Sequence, residues 1–298
     1  MGAGELGTAI LTALSETIPT STKITVLLRP STLSSPSPVK AKELKTLKSL
    51  SISFLSGDVS SSPSELSSLF SPYDLIISCL GFSSGPGSQL KIARAVLDAH
   101  VKRFIPWQFG VDYDIIGRGS AQDLFDEQCS VRDVLRNQNE TEWIIISTGM
   151  FTSFLFEQSF GVVDLEKRAV KALDSWENGV TVTTPRDIGR ITARVVGEEP
   201  RVRNEVVYTA GETITYGKLA DVVEEVTGRM VDREVWTVNG LKRELKDDPE
   251  NGLKKYRVVF AEGKGVSWGI EKTFNAKKGL EVQDVLGWAK ENLQPTSG

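Results

Sequence analysis

Short apolar runs alternate with amphipathic stretches through the first half of the chain. KITVLL (Lys23–Leu28), SISFL (Ser51–Leu55), DLIISCL (Asp74–Leu80), RFIP (Arg103–Pro106) and WIIIS (Trp143–Ser147) are predominantly apolar, and most are rich in β-branched residues. Strands covered on both faces have this pattern. Between them, LKIARAVLDAHV and DLFDEQCSVRDVLRNQ repeat apolar residues at helical spacing. The order βαβα predicts an α/β fold, a doubly wound parallel sheet with helices on both sides.

Two Ser/Pro-rich pieces interrupt this rhythm. RPSTLSSPSPVKAKELK reads as a loop leading into a helix, and SGDVSSSPSELSSLF as a loop whose Ser64 caps a short helix. After Met150, VTVTTPRDIGRITARVV predicts a strand, a turn and a helix from near Pro185. NEVVYTAGETITYGKLADVVEEVTGR predicts a strand and a helix capped by Thr215 and stopped at Gly228. REVWTVNGLKREL adds a strand and helix, and LEVQDVLGWAKENL a closing helix. The expected division is a dinucleotide-binding domain over 1–150 and a smaller α/β substrate region over 151–298, interleaved with it.

Composition narrows the partners. Across 298 residues, 25% are charged and the net charge is −4, so no basic field supports nucleic acid or anionic lipid. Cys79 and Cys129 are the only cysteines and His100 the only histidine, too few for a structural zinc set. No apolar run reaches the roughly 18 residues of a spanning helix. The expectation is a cytoplasmic protein with reduced thiols, no metal, and a small-molecule ligand.

The chain opens MGAGELGTAI, and Gly2, Gly4 and Gly7 have the G-x-G-x-x-G spacing of a dinucleotide-binding turn. Gly2 permits the tight turn, Gly4 lets backbone approach a pyrophosphate, and Gly7 lets the following helix pack closely. The N–H groups around Glu5 and Leu6 then face the phosphates. Such a turn follows a central β-strand, yet only Met1 precedes Gly2. Burying about five apolar side chains at roughly 1.5–3 kcal/mol each is comparable to a domain's whole stability. The expectation is therefore that the fold's first strand lies upstream of Met1, or that another segment takes its place.

Cofactor choice is read after the second strand of such a fold, where an acidic residue would bind a ribose 2′-hydroxyl. This chain has Arg29, Ser31 and Thr32 there, groups that fork onto or donate to a 2′-phosphate, which favours NADP(H). Asp58 and Gly81 follow later strands at loop positions suited to adenine or ribose, although Asp58 equally suits a turn.

VKRFIPWQFGVDYD and STGMFTSFL, together with the glycine turn, LLRPST, SGDVS and TTPRDIGRI, resemble the NmrA-like and isoflavone-reductase-like branch of the atypical short-chain dehydrogenases. The similarity extends to its fungal group that includes the CipA-type proteins, and it covers nearly the whole chain. It implies an NADP-binding Rossmann domain, a small C-terminal substrate domain, and reduction of phenolic or other secondary metabolites. It also implies that Thr148 and Gly149 form a nicotinamide-side loop.

The chemistry departs from the pattern in two ways. No tyrosine has a lysine four residues on, so the Tyr-x-x-x-Lys proton relay is absent. The resemblance implies a lysine acid/base in F-x-x-K-x-K-V-R, and FDEQCSVR places Gln128 at that position. A carboxamide holds a hydrogen bond but delivers no proton near neutral pH. Asp112, Tyr113 and Asp114 are the nearby proton-transfer candidates, or simply turn formers. Trp107, Gln108, Phe109, Met150, Phe151 and Phe154 are candidates for the walls of an apolar pocket, or core. Asp126 and Glu127 read as helix-surface charge, and His100 as a helix-end residue.

Three functions fit these residues. The first is an NADPH-dependent reductase of a hydrophobic small molecule, with a homodimer as its expected assembly. The second is an NADP(H)-binding redox-sensing regulator with a protein partner and no turnover. The third is a non-redox isomerase or cyclase that uses the site for positioning.

Overall fold

The computed structural model describes residues 1–81 and 84–293. Its strands are β1 (Thr25–Leu28), β2 (Ser53–Ser56), β3 (Leu75–Ile77), β4 (Arg103–Ile105), β5 (Glu142–Ser147), β6 (Met150–Phe151), β7 (Val163–Asp164), β8 (Ala169–Leu173), β9 (Gly179–Thr183), β10 (Glu205–Tyr208), β11 (Glu212–Thr215) and β12 (Asp232–Trp236). Helix α1 (Glu5–Thr17) precedes β1, and α2 (Pro30–Ser34), α3 (Pro38–Ser49), α4 (Pro63–Phe70), α5 (Ser88–Asp98), α6 (Tyr113–Ile116), α7 (Leu124–Arg136), α8 (Pro185–Val196) and α9 (Tyr216–Thr227) fall between the strands.

Contacts divide the chain into two units, each assembled from three segments. The first takes residues 1–108, 127–146 and 188–207, and the second takes 109–126, 147–187 and 208–298. A single cut at residue 150 does not describe this division. Nothing in composition marks the crossings at 109 and 127, because the strand-to-helix loop there runs from one unit into the other within one α/β repeat.

In the first unit, β1 pairs with β2 in parallel, from Thr25 opposite Ser53 to Leu28 opposite Ser56. β3, β4 and β5 form a second parallel set with β10 beside β5. Read across the unit, the order is β2-β1, then β3-β4-β5-β10. Taken without β10, this is the 3-2-1-4-5-6 order of the Rossmann fold with no described strand at the central position, and β10 adds a seventh position at the β5 edge. The core under it joins Leu27, Ile76, Phe104 and Ile145 from the strands to Leu66, Phe70, Ile92 and Leu135 from the helices.

The second unit holds two small sheets, β11-β9-β6 and β12-β8-β7. β9 runs antiparallel to β11 and parallel to β6, and β8 runs parallel to β12 and antiparallel to β7. Thr215 caps α9 through Lys218 N, and Gly228 ends it in the left-handed region at φ 66°.

Several local expectations change. The Ser/Pro-rich loop contains α2, which Pro30 starts at its first position. α4 is capped by Ser62, not Ser64. Ser62 accepts from Glu65 N and Glu65 closes a capping box onto Ser62 N, because Pro63 takes the first helical position. No described helix is long and apolar enough to cross a membrane.

Candidate functional site

The glycine turn lies at the carboxyl edge of the first unit's sheet. Gly2 has φ 84°, in the left-handed region, and a Cβ there would stand 3.1 Å from the Cys79 carbonyl oxygen. A Cβ on Gly7 would fall 2.2 Å from the Gly2 oxygen, so only glycine lets the first turn of α1 close against the loop. Gly4, the N-cap, behaves differently, since nothing lies within 4 Å of a Cβ built on it. Its face is open and no side chain caps α1. The backbone N–H groups at Glu5, Leu6 and Gly7 are thus oriented as an anion cradle.

Two cations stand at this edge. Lys40, in the first turn of α3, donates from Nζ to the Ala3 carbonyl inside the glycine turn at 2.9 Å and pairs with Glu43. Sequence reasoning missed it, because the contact joins positions 37 residues apart. Its only local signal is the Ser37-Pro38 start of α3. Arg29 follows β1 with its side chain 60% exposed, and its Nε lies 4.0 Å from Asp58 Oδ2. Ser31 and Thr32 sit on α2, whose N-cap is Arg29. Asp58 accepts from Ser60 N at 2.8 Å, and the Ser60 bonds, helped by Arg29, hold its carboxyl below the usual range.

Beyond β3, Gln89 Nε2 donates to the Leu80 carbonyl at 2.7 Å and to that of Gly81 at 3.4 Å, fixing the loop. A Cβ on Gly81 would meet the Trp107 ring at 3.5 Å, so these two candidates lie together. Gln108 is fully buried. Its Oε1 accepts from Arg132 Nε at 2.7 Å and its Nε2 donates to the Gln128 carbonyl at 2.9 Å, which ties the end of β4 to α7. Gln128 has 0% exposure, and neither polar atom of its side chain has a hydrogen-bond partner among the described residues. Such an orphaned amide carries a desolvation cost of about 1–3 kcal/mol until something bonds to it.

Glu127 is more than surface charge. It accepts from Gly87 N at 2.9 Å and Leu90 N at 3.0 Å, capping the start of α5. Asp126 likewise accepts from Gly119 N at 2.9 Å in the second unit. His100 pairs with Glu140 at 2.9 Å on the surface.

The remaining candidates belong to the second unit. Asp112 is the N-cap of α6, accepting from Asp114 N and Ile115 N, and Tyr208 donates to its Oδ2 at 2.6 Å. Tyr113 is buried with its ring 5.0 Å from that of Phe125. Phe154 sits among Phe160 and Tyr256, with centroids at 4.7 and 6.2 Å. Phe109 and Met150 are buried, whereas Phe151 is half-buried. The Gly110 carbonyl accepts from both Thr148 N and Gly149 N, at 2.9 and 3.0 Å. Among the described residues no group of three or more His, Cys, Asp or Glu side chains could hold a metal.

Comparison with known proteins agrees with this geometry. The family model described as the NmrA-like family matches residues 1–284. An NmrA-like family domain-containing oxidoreductase of Gibberella moniliformis is 47% identical over 293 residues, 98% of this chain and 96% of that protein. An isoflavone reductase homolog of Solanum tuberosum is 26% identical, covering 87% of this chain and 84% of its own. Among solved structures, AtPrR2 with NADP+ and (+)pinoresinol superposes with a TM-score of 0.77 at 20% identity, covering 97% of this chain and 95% of the other.

Proposed function

The chain belongs to the NmrA-like family, and from that premise we infer that it is an NADPH-dependent reductase of a hydrophobic small molecule. The observation that carries this reading is the open Gly4 face beside an uncapped α1, with Lys40 on the turn itself. The N–H groups of α1 would hold the pyrophosphate, and Arg29, Ser31 and Thr32 the 2′-phosphate. When bound, the dinucleotide supplies hydride to an acceptor carbon. Gly81 and Trp107 line the approach after β3, and Gln128 offers a carboxamide that orients an oxygen of the acceptor without donating its proton. Asp112 is engaged by Tyr208 and by the α6 cap, so the proton comes from water in this reading. A phenolic or similar secondary metabolite is the favoured substrate class, in keeping with relatives named as isoflavone and phenylcoumaran benzylic ether reductases.

The test is a fluorescence titration of the chain and of Arg29→Ala with NADPH and NADH, followed by a screen of phenolic ketones, ethers and quinones. NADPH preference of about tenfold or more, lost in Arg29→Ala, with NADPH oxidised by a panel member, is the expected result. Equal affinity for the two dinucleotides would reject the assignment of Arg29.

A second reading, a cofactor-sensing regulator, draws on Gln128, since a glutamine at the family's lysine position removes the proton donor. It expects strong discrimination between NADP⁺ and NADPH and no turnover with any panel member.

A further inference from the structure

The amino ends of the first unit's strands, at the edge opposite the glycine turn, hold a group of charges that the reductase reading does not use. Arg103 opens β4 and Glu142 opens β5, and the two are partners in the parallel register. Arg201 and Arg203 lie in the segment just ahead of β10. All three guanidiniums face one carboxylate. Glu142 Oε2 is 3.4 Å from Arg201 Nη1 and 3.9 Å from Arg103 Nε, and Oε1 is 3.6 Å from Arg203 Nη1. Charge-assisted N–H···O bonds close to about 2.7–2.9 Å. None of these does, so Glu142 is shared among three cations and held closely by none.

The sharing tells most at Arg103, whose side chain is 13% exposed. Its Nη1 donates to the Val196 carbonyl at the end of α8 at 3.3 Å, whereas Nε and Nη2 are buried with no hydrogen-bond partner among the described residues. Nε and Nη2 form the side edge of the guanidinium, the edge that a carboxylate takes with both oxygens. Burial, and Arg201 after it, draw the Arg103 pKa below its ordinary range, against the pull of Glu142 and Glu199. A buried cation with an unfilled edge is destabilising. The carboxylate beside that edge is drawn away by two exposed arginines.

We propose that Arg201 and Arg203 bind a phosphate group, free or as a monoester, and that the phosphate releases Glu142 to close on Nε and Nη2 of Arg103. Two exposed guanidinium forks match a dianion with three acceptor oxygens. A carboxylate is a poorer match, because Glu142 already offers one to both arginines and settles on neither. The handover replaces three long contacts by two close sets, one at the surface and one buried. It links occupancy of the exposed pair to the packing of β4, β5 and the end of α8. The inference is independent of the reductase reading.

The experiment titrates the full chain with inorganic phosphate and with glycerol phosphate, with NaCl at matched ionic strength as the control, and follows the arginine Nε–H signals in ¹⁵N–¹H spectra. Saturable shifts are expected at Arg201 and Arg203, together with a downfield shift at Arg103 and exchange of its Nε–H with water slowed by about tenfold or more. Binding of both probes marks a site for any phosphate group, and binding of inorganic phosphate alone a site for the free ion. The double variant Arg201→Ala/Arg203→Ala, changed at exposed positions, should bind about tenfold more weakly and leave Arg103 unresponsive. Glu142→Gln should bind phosphate about threefold more tightly, since a competing carboxylate is gone, and here too Arg103 should not respond. Shifts no larger than those NaCl produces, or affinity that survives in the double variant, would overturn the site. An Arg103 response that persists in Glu142→Gln would overturn the handover.

Discussion

Two glycine-bearing turns differ in what they do with their backbone. The turn at Gly2–Gly7 leaves Gly4 facing open space and the first N–H groups of α1 without a side-chain cap. The turn at Gly149 is closed: a Cβ there would lie 2.0 Å from the Thr181 oxygen, and the N–H groups of Thr148 and Gly149 both go to the Gly110 carbonyl. Thr183 Oγ1 donates to the Thr148 carbonyl at 2.7 Å, which completes the internal pairing. The first turn leaves its face open, whereas the second turn's N–H groups are met within the protein. Spacing of glycines does not separate these cases, whereas the destination of each hydrogen bond does.

The sharpest way to break this contrast is Gly149→Ala. The position has φ 70°, and the added methyl meets backbone on a packed strand, so both strain and overlap act. A loss of about 3 kcal/mol or more is expected in a denaturant melt. A variant as stable as the parent would show that the second turn is not closed in the way described.

Gly4→Ala is the matching change at the open turn. The methyl meets no protein atom, so the cost to folding should stay below about 1 kcal/mol, in the range of N-cap exchanges. NADPH affinity should nevertheless fall by about tenfold, or about 1.4 kcal/mol, because the methyl occupies the approach of the pyrophosphate. Calorimetric titration reads the affinity and a melt reads the stability. Unchanged affinity would remove Gly4 from the cofactor site.

The same contrast explains how much was legible in the sequence. The strands around Val26, Ile76, Phe104 and Ile145 were visible because residues buried on both faces leave an uninterrupted apolar run. The α9 caps at Thr215 and Gly228 were visible because capping is local. α2 was not, since five residues with none buried carry no apolar period. Ser62 rather than Ser64 is the cap because the governing feature is Pro63 at the first helical position. The Lys40 contact with Ala3, the Arg132 bond to Gln108 and the Tyr208 bond to Asp112 join residues 37, 24 and 96 positions apart, and a single sequence holds no record of them. The glycine turn could be located by spacing, but its open Gly4 face required coordinates.

Tyr208→Phe sharpens the assignment within the second unit. The hydroxyl donates to Asp112, whose other oxygen caps α6, so its removal leaves a buried carboxylate with one partner fewer. The expected loss is about 1–2 kcal/mol of stability. NADPH affinity should not change. A large drop in affinity with no change in the melt would instead make Asp112 and Tyr208 part of the ligand site.

The smallest effect expected is at Asp58, where structure and cofactor choice compete for one cation. Its carboxyl is held below the usual range first by the Ser60 bonds and then by Arg29. A carboxyl whose folded pKa is depressed adds stability that is present above its unfolded pKa, near 3.8. That stability is lost as pH falls through the lower folded value. Asp58→Asn should therefore melt slightly below the parent at neutral pH, with the gap closing as pH drops beneath 3.8. The side chain is 36% exposed and Arg29 stands 4.0 Å away, so solvent screening keeps the gap small. The same change frees Arg29 from a competing carboxylate, and NADPH affinity should rise by about twofold while NADH affinity stays level. An equal rise for both dinucleotides would mean that Asp58 acts on the shared part of the ligand and not through Arg29 on the 2′-phosphate.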